Sequence, residues 1–214
     1  NGQWTLRHVA SDFVDPVLRD GLVNALLIAL ATTTLCLVIA LPLASLSRHY
    51  DFRGKGLLTG LLMVPMILPP FVGALAIKKL LAHGGGSVNL ILDAVGLAKV
   101  DWLGSGLRGV VILEALHLYP IMYLNASAAM ANVDPAMLEA SRNLGASPWR
   151  TFWKVTFPLI MPGLFAGGTI VFIWSFNELG TPEMLNYKVL PVTIFREFQR
   201  ENPASLLYMK VFVM

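Results

Sequence analysis

The run DPAMLEASRNLGASPWRTFWKVTFPLIMP, Asp134 to Pro162, decides how this chain is read. It opens with a helix start: an aspartate whose carboxylate can cap free amide groups, then a proline at the first helical position. AMLEASRNL continues as helix, and Gly145 stands where a left-handed residue ends one. Ser147-Pro148 repeats the start signal at once. WRTFWKVTF then opens a second helix, with Pro158 and Pro162 where it meets the next apolar stretch. These signals predict two helices joined by a short, stiff turn. Glu139 and Arg142 lie three apart and can pair on one face for about 0.2–0.5 kcal/mol. Ala140 and Ala146 keep the surface around the turn small, while Met137, Leu138, Leu144 and Phe152 offer apolar contact. Such a helix suits a groove on another protein and equally the surface of a bilayer.

The rest of the chain is fit for lipid. Charged residues make up 14% of it, against about 25% in a soluble domain, too few to cover a water-exposed surface. The net charge of +3 comes from scattered Lys and Arg with no basic stripe, which argues against nucleic-acid binding. Cys36, the single cysteine, lies in an apolar run and reads as a small buried residue. The chain begins at Asn1 without a signal peptide, and SLLYMKVFVM starts a further apolar run at its end. It is expected to be a piece of a longer polypeptide.

A spanning helix needs about 20 apolar residues. The first candidate is 22–46, free of charge, with a kink at Pro42. The second, 57–77, contains Pro65, Pro69 and Pro70. Prolines remove backbone donors, and the carbonyls they free must find partners in protein or in a water-filled cavity. That leaves a kinked packing helix or a helix lining a pathway. The third span, 109–131, holds Glu114 and His117, and ionisable groups in a span are functional candidates. They lie three apart on one face, so pairing with each other or with a neighbouring helix is the alternative to a substrate role. The fourth, 155–177, carries Gly163, Gly167 and Gly168, small enough for close helix approach. A fifth starts near Ala204.

The connections are short. HGGGSVN, His83 to Asn89, reads as a flexible loop, and no Gly-Lys-Ser/Thr follows to make it a phosphate cradle. ILDAVGLAKVDWLGSG reads as a short interfacial helix and turn with Trp102 at headgroup level. FNELGTPEML closes the fourth span at Gly180 and Pro182, and NYKVLPVTIFREFQRENP reads as a mixed loop or short re-entrant segment. The expectation is one helical membrane domain over 1–214 with an exposed loop at 132–158. If that loop is cytoplasmic, Arg48, Arg53, Lys55, Arg142, Arg150 and Lys154 lie inside, and Arg7, Arg19, Lys78, Lys79, Lys99, Lys188, Arg196 and Arg200 lie outside. The positive-inside count does not support this orientation, although RHYDFRGK is a dense basic loop.

EASRNLGASPWRTFWKVTFPLIMPG resembles the EAA loop of ABC-transporter permeases in the binding-protein-dependent importer superfamily. That pattern reads EAA, three residues, Gly, then about nine residues and a hydrophobic-proline step. Here Glu139-Ala140-Ser141 fills the triplet, with Ser141 where the family has a second alanine. Gly145 fills the glycine position, and Leu159 follows Pro158. LVNALLIALATTTLCLVIALPLA and VPMILPPFVGALA are similar to the family's core helices. FNELGTPEML with VLPVTIFREF is similar to permeases for ferric iron, often fused as two halves in one chain.

The resemblance implies an all-α, polytopic helical bundle of the type I ABC importer permease kind in the bacterial inner membrane. It implies that the loop is cytoplasmic and that its coupling helix docks in a groove of a separate ATPase subunit, which holds ATP and Mg²⁺. The contact would use Glu139, Ala140, Ser141, Arg142, Gly145, Ala146, Pro148 and Pro158, with Arg142 and Arg150 facing acidic groups of the ATPase. Pro65, Pro69 and Pro70 would shape the pathway. Glu114, Asn177, Glu178 and Thr181 would lie along it, though polar residues at a helix end also serve as caps. Further partners would be a periplasmic or lipoprotein substrate-binding protein, a second permease subunit or fused half, and membrane lipid. The sequence has no Walker A motif, no acid pair with a base and no metal-spaced Cys/His cluster, so the chain reads as a transport subunit without a cofactor of its own. The rival, an ATPase-independent channel or secondary transporter, calls for more intramembrane charge and for repeat symmetry, and neither is evident. A membrane scaffold would not need the proline-broken span, and an enzyme built on Glu114 and His117 would need a nucleophile beside them.

Overall fold

The computed structural model describes residues 16–104 and 106–199. Every regular element among them is a helix: α1 Pro16–His49, α2 Lys55–Ile67, α3 Pro70–Leu80, α4 Ser87–Ala94, α5 Leu107–Ala131, α6 Pro135–Asn143, α7 Pro148–Thr151, a π turn Phe152–Thr156, α8 Phe157–Phe176, α9 Gly180–Met184 and α10 Leu190–Gln199. Three helical stretches, 16–48, 107–131 and 148–176, are long and apolar enough to cross a membrane, and a fourth crossing results if α2 and α3 count as one broken span. The expected fifth span near Ala204 lies outside the described residues.

The bundle is built around α5, which packs on α1 and α8. Its buried residues include Val110, Leu113, Ala115, Leu118, Met122 and Ala126. On α1, Ala25, Ala29, Thr32, Cys36, Ala40 and Ala44 are buried. Their spacing of three and four makes one stripe of small side chains, which lets two spans approach closely without a solvent-driven hydrophobic force. Cys36 lies in that seam, its Sγ 3.6 Å from the Ala115 carbonyl. Gly163 and Gly167 do the same on α8. A Cβ at Gly163 would come 2.6 Å from that of Ala129, and one at Gly167 would come 2.8 Å from that of Asn125.

The stretch 57–77 is not one kinked helix. α2 ends at Ile67, Leu68 is extended, and α3 restarts at Pro70 with its axis turned by 116°. Pro69 cannot donate to the Pro65 carbonyl, so the ladder stops there. α5 braces α2 just before the break: the Tyr119 hydroxyl donates to the Leu62 carbonyl at 3.0 Å.

Two connections differ from expectation. Gly86, read as part of a flexible loop, is tightly packed: an added Cβ would fall 2.4 Å from the Leu80 carbonyl oxygen. The buried Asn89 knits this segment, donating to the Ala82 and Val100 carbonyls while its Oδ1 accepts from Val100 N–H and Trp102 Nε1–H. Trp102 is thus an internal clip. The mixed segment at 186–203 contains α10, with Val192 and Ile194 buried next to the equally buried Val189. These pack towards α1, where a Cβ on Gly21 would lie 3.1 Å from Leu190 N. Arg196 pairs with Glu183 at 3.1 Å.

Candidate functional site: the protruding turn and the intramembrane polar groups

The 134–162 stretch folds as its signals dictate. Asp134 Oδ1 accepts from Ala136 N–H at 2.8 Å, and Ser147 Oγ accepts from Arg150 N–H at 3.3 Å, so both helix starts are capped. Gly145 has φ +77°. Ala146 N–H bonds to the Ser141 carbonyl and Gly145 N–H to that of Arg142, the paired bonds of a Schellman stop. The turn therefore satisfies its own backbone. A bond the sequence did not disclose stiffens it further: the Ser141 and Thr151 hydroxyls lie 2.8 Å apart and tie α6 to α7. Ser141, the departure from the family triplet, is a clip as well as a small residue.

Glu139, Ala140, Arg142, Gly145 and Pro148 are exposed, and Ala146 is half-buried. Leu144, at the tip, is 88% exposed. The Glu139–Arg142 pair that the spacing allows is not among the ion pairs of the described residues; both side chains are exposed. Pro158 lies apart from it, in the first turn of α8, and shapes the helix instead. It has no N–H to give to residue 154, and the ladder widens to the bond from Phe157 N–H to the Phe152 carbonyl. Buried Thr151 and Thr156 are five apart, then Ile160, Leu164, Gly167 and Val171 follow at four and three. The π turn thus keeps one buried face running from α7 into the span.

Inside the bundle, Glu114 and His117 do not pair with each other. Glu114 is 2% exposed. Its Oε2 accepts from the hydroxyl of Ser175, and from that of Thr32 at 3.4 Å, linking α1, α5 and α8. Its Oε1 and the Nδ1 of His117 have no partner among the described residues. Thr32 and Ser175 were not identifiable from sequence, because hydroxyls at helical spacing are common in spans and only the packing selects two of them. Pro65 is half-buried and Pro69 exposed at the break, with Pro70 opening α3. At the far end of α8, Glu178 Oε1 accepts from Gly180 and Thr181 N–H, capping α9, and Asn177 Nδ2 donates to its own helix at Ile173. A cavity of about 410 Å³ between α1 and α8 is lined by Thr33, Thr34, Met122, Gly168 and Thr169 among others. The three threonine hydroxyls donate to their own helices' carbonyls, so the wall is effectively apolar.

The chain is 31% identical over 169 residues to the molybdenum transport system permease protein ModB of Escherichia coli K12, covering 77% of this chain and 72% of that one. It is 30% identical over 215 residues to a putative 2-aminoethylphosphonate transport system permease protein, PhnU, of Salmonella choleraesuis, covering 97% and 73%. Against a putative ferric transport system permease protein, FbpB 1, of Haemophilus influenzae, identity is 27% over 195 residues; 90% of this chain is matched but 30% of that relative's length. The fold is similar to a crystal structure of a bacterial alginate ABC transporter in complex with a periplasmic protein, at TM-score 0.73, 18% identity and coverage of 96% and 76%. It also resembles the MetNI methionine ABC transporter in inward-facing conformations, at TM-score 0.68, 17% identity and coverage of 92% and 87%. Residues 22–213 match the family described as the binding-protein-dependent transport system inner membrane component; the chain belongs to that family and is an inner-membrane permease subunit of a solute transport system.

Proposed function

We propose that this permease works by alternating access under the drive of a separate ATPase, and that the α6–α7 turn is the handle by which that ATPase moves it. The observation that carries this reading is the self-satisfied, clipped turn around Gly145, with Leu144 88% exposed at its tip. A connection whose backbone bonds are closed internally moves as a unit, so a displacement of the tip reaches α8 through α7 and the π turn. ATP and Mg²⁺ bind in the partner. Two ATPase subunits closing on nucleotide draw in the turn of this chain and that of a second permease subunit or fused half. The spans then tilt between inward-open and outward-open arrangements. In this reading the turn is cytoplasmic, Glu139, Ala140, Ser141, Arg142, Gly145, Ala146 and Pro148 form or shape the contact, and Arg142 and Arg150 face acidic groups of the ATPase.

The cargo is a small solute delivered by a substrate-binding protein from the opposite side. Ferric iron is the member of the relatives' set to which the sequence resemblance points, beside molybdenum and 2-aminoethylphosphonate. The break at Pro65–Pro70 and the groups Glu114, Asn177, Glu178 and Thr181 are the pathway candidates. The decisive experiment joins Leu144→Cys to a cysteine in the groove of the co-purified ATPase and measures uptake into vesicles with and without ATP. Cross-linking together with ATP-dependent uptake supports the reading. Uptake without ATP, or a turn that never reaches an ATPase, favours an ATPase-independent channel or secondary transporter. Ligand binding by the cognate binding protein settles the solute.

A further inference from the structure

The junction of the turn with the last long span carries a surface that neither the bundle nor the coupling contact uses. α8 has twenty residues, Phe157–Phe176, about 30 Å at 1.5 Å per residue, which matches the hydrocarbon thickness of a bilayer. The unbroken helical stretch 148–176 has 29 residues, about 43 Å at that rise and longer than the hydrocarbon layer, so with Phe157–Phe176 in the hydrocarbon the π turn Phe152–Thr156 falls at headgroup depth. Trp153 packs edge-on against Trp149 with centroids 5.6 Å apart and lies 4.9 Å from Phe157, yet it remains 44% exposed. Next to it Lys154 is exposed and belongs to none of the ion pairs of the described residues.

An indole at this depth prefers the headgroup layer over water or hydrocarbon. A lysine beside it can lay its stem along the apolar surface and hold its ammonium among phosphates. We propose that Trp153 and Lys154, braced by Trp149 and Phe157, form a site for the phosphate-bearing headgroup of an anionic phospholipid, which pins the fulcrum between the protruding turn and α8. This rests on the cytoplasmic placement of the turn argued above. Depth and charge favour lipid over protein here: the patch starts where the apolar run ends, whereas the exposed tip at Leu144 lies beyond α7.

The test uses the complete transporter, with its ATPase and binding protein, in a variant that keeps Trp153 as its single tryptophan and has phenylalanine at the others. It is reconstituted in phosphatidylcholine vesicles doped with brominated phosphatidylglycerol or, at equal mole fraction, brominated phosphatidylcholine. The site predicts stronger quenching by the anionic phosphatidylglycerol. Lys154→Gln should weaken that preference about five-fold, as expected for one basic residue at an anionic surface, while Lys154→Arg retains it. Equal quenching by both lipids, or a preference unchanged in Lys154→Gln, overturns the proposal. Cross-linking of Leu144→Cys to the ATPase in the same vesicles reports the coupling reading separately, so either idea can fail while the other stands.

Discussion

Two interruptions of helix in this molecule have opposite designs. Between α2 and α3 the break lies in a stretch apolar enough for lipid, and it is braced from outside, by the Tyr119 hydroxyl on the Leu62 carbonyl in the last turns of α2. Between α6 and α7 the break is exposed and closes on itself, through Asp134, the Gly145 stop and Ser147. Where no water can serve the backbone, a break must be glued to a neighbour, and it moves when the neighbour moves. A break that serves itself owes nothing to the bundle and leaves its surface for a partner. The first is an internal joint and the second an exposed turn that stands on its own.

The contrast can be broken at several points. The largest effect is expected for Gly145→Val. A β-branched residue at φ +77° is strained by roughly 1–2 kcal/mol, and the stop must rebuild. ATP-driven uptake should fall about ten-fold or more, the factor that ~1.4 kcal/mol represents, while hydrolysis by the assembled complex persists. Normal uptake by this variant sinks the handle. Next is Gly163→Val against Gly168→Val on α8. A Cβ clashes with Ala129 at the first and meets ordinary contacts of 3.7 Å at the second. Thermal unfolding in detergent should show a loss of about 1–3 kcal/mol for the first and little for the second; equal losses would refute the close seam between α5 and α8.

Tyr119→Phe removes the donor to Leu62 and should destabilise the joint by about 1 kcal/mol or somewhat more, with faster amide exchange confined to α2 and α3. Exchange that rises instead in α6 and α7 would erase the distinction between the two breaks. Ser141→Ala, which deletes the clip to Thr151, should cost about 0.5–1.5 kcal/mol and lower uptake more than hydrolysis; a variant coupled as tightly as the parent makes the clip incidental.

The smallest effect concerns the turn before α2. Asp51 accepts from Lys55 at 2.8 Å, and that bond, helped by the lysine's charge, holds its carboxyl below the ordinary carboxylate value. The pair's contribution is present above the ordinary aspartate titration and is lost as pH falls through the lowered one. In Lys55→Gln the Asp51 carboxyl, followed by NMR, should titrate higher. An unmoved titration would remove this pair from the account of the loop.

What could be read beforehand follows from range. Asp134-Pro135, Gly145 and Ser147-Pro148 act on bonds within five residues, so the caps and stop of this turn were legible letter by letter, whereas the Ser141–Thr151 clip, ten residues apart, was not. Pro65 and Pro69 announced a break, but not that Tyr119, far along the chain, would serve it. Gly86 illustrates the reverse error: glycine marks flexibility or tight approach, and the Leu80 carbonyl at 2.4 Å from a would-be Cβ decides for approach. Glu114 was conspicuous, yet its partners Thr32 and Ser175 are chosen by three helices meeting. α10 escaped because its apolar residues serve a face that exists only once α1 is in place.

The five-residue step from Thr151 to Thr156 has a consequence for how this chain tolerates change in length. A regular helix would reach the same face in four residues, so the segment 152–156 holds one more than alignment needs. Removing one residue there returns an ordinary helix and leaves both faces where they were, whereas removing one from α8 itself turns everything upstream by about 100°. The junction is an expansion joint: one residue can be lost here without rotating the protruding turn about the axis of α8.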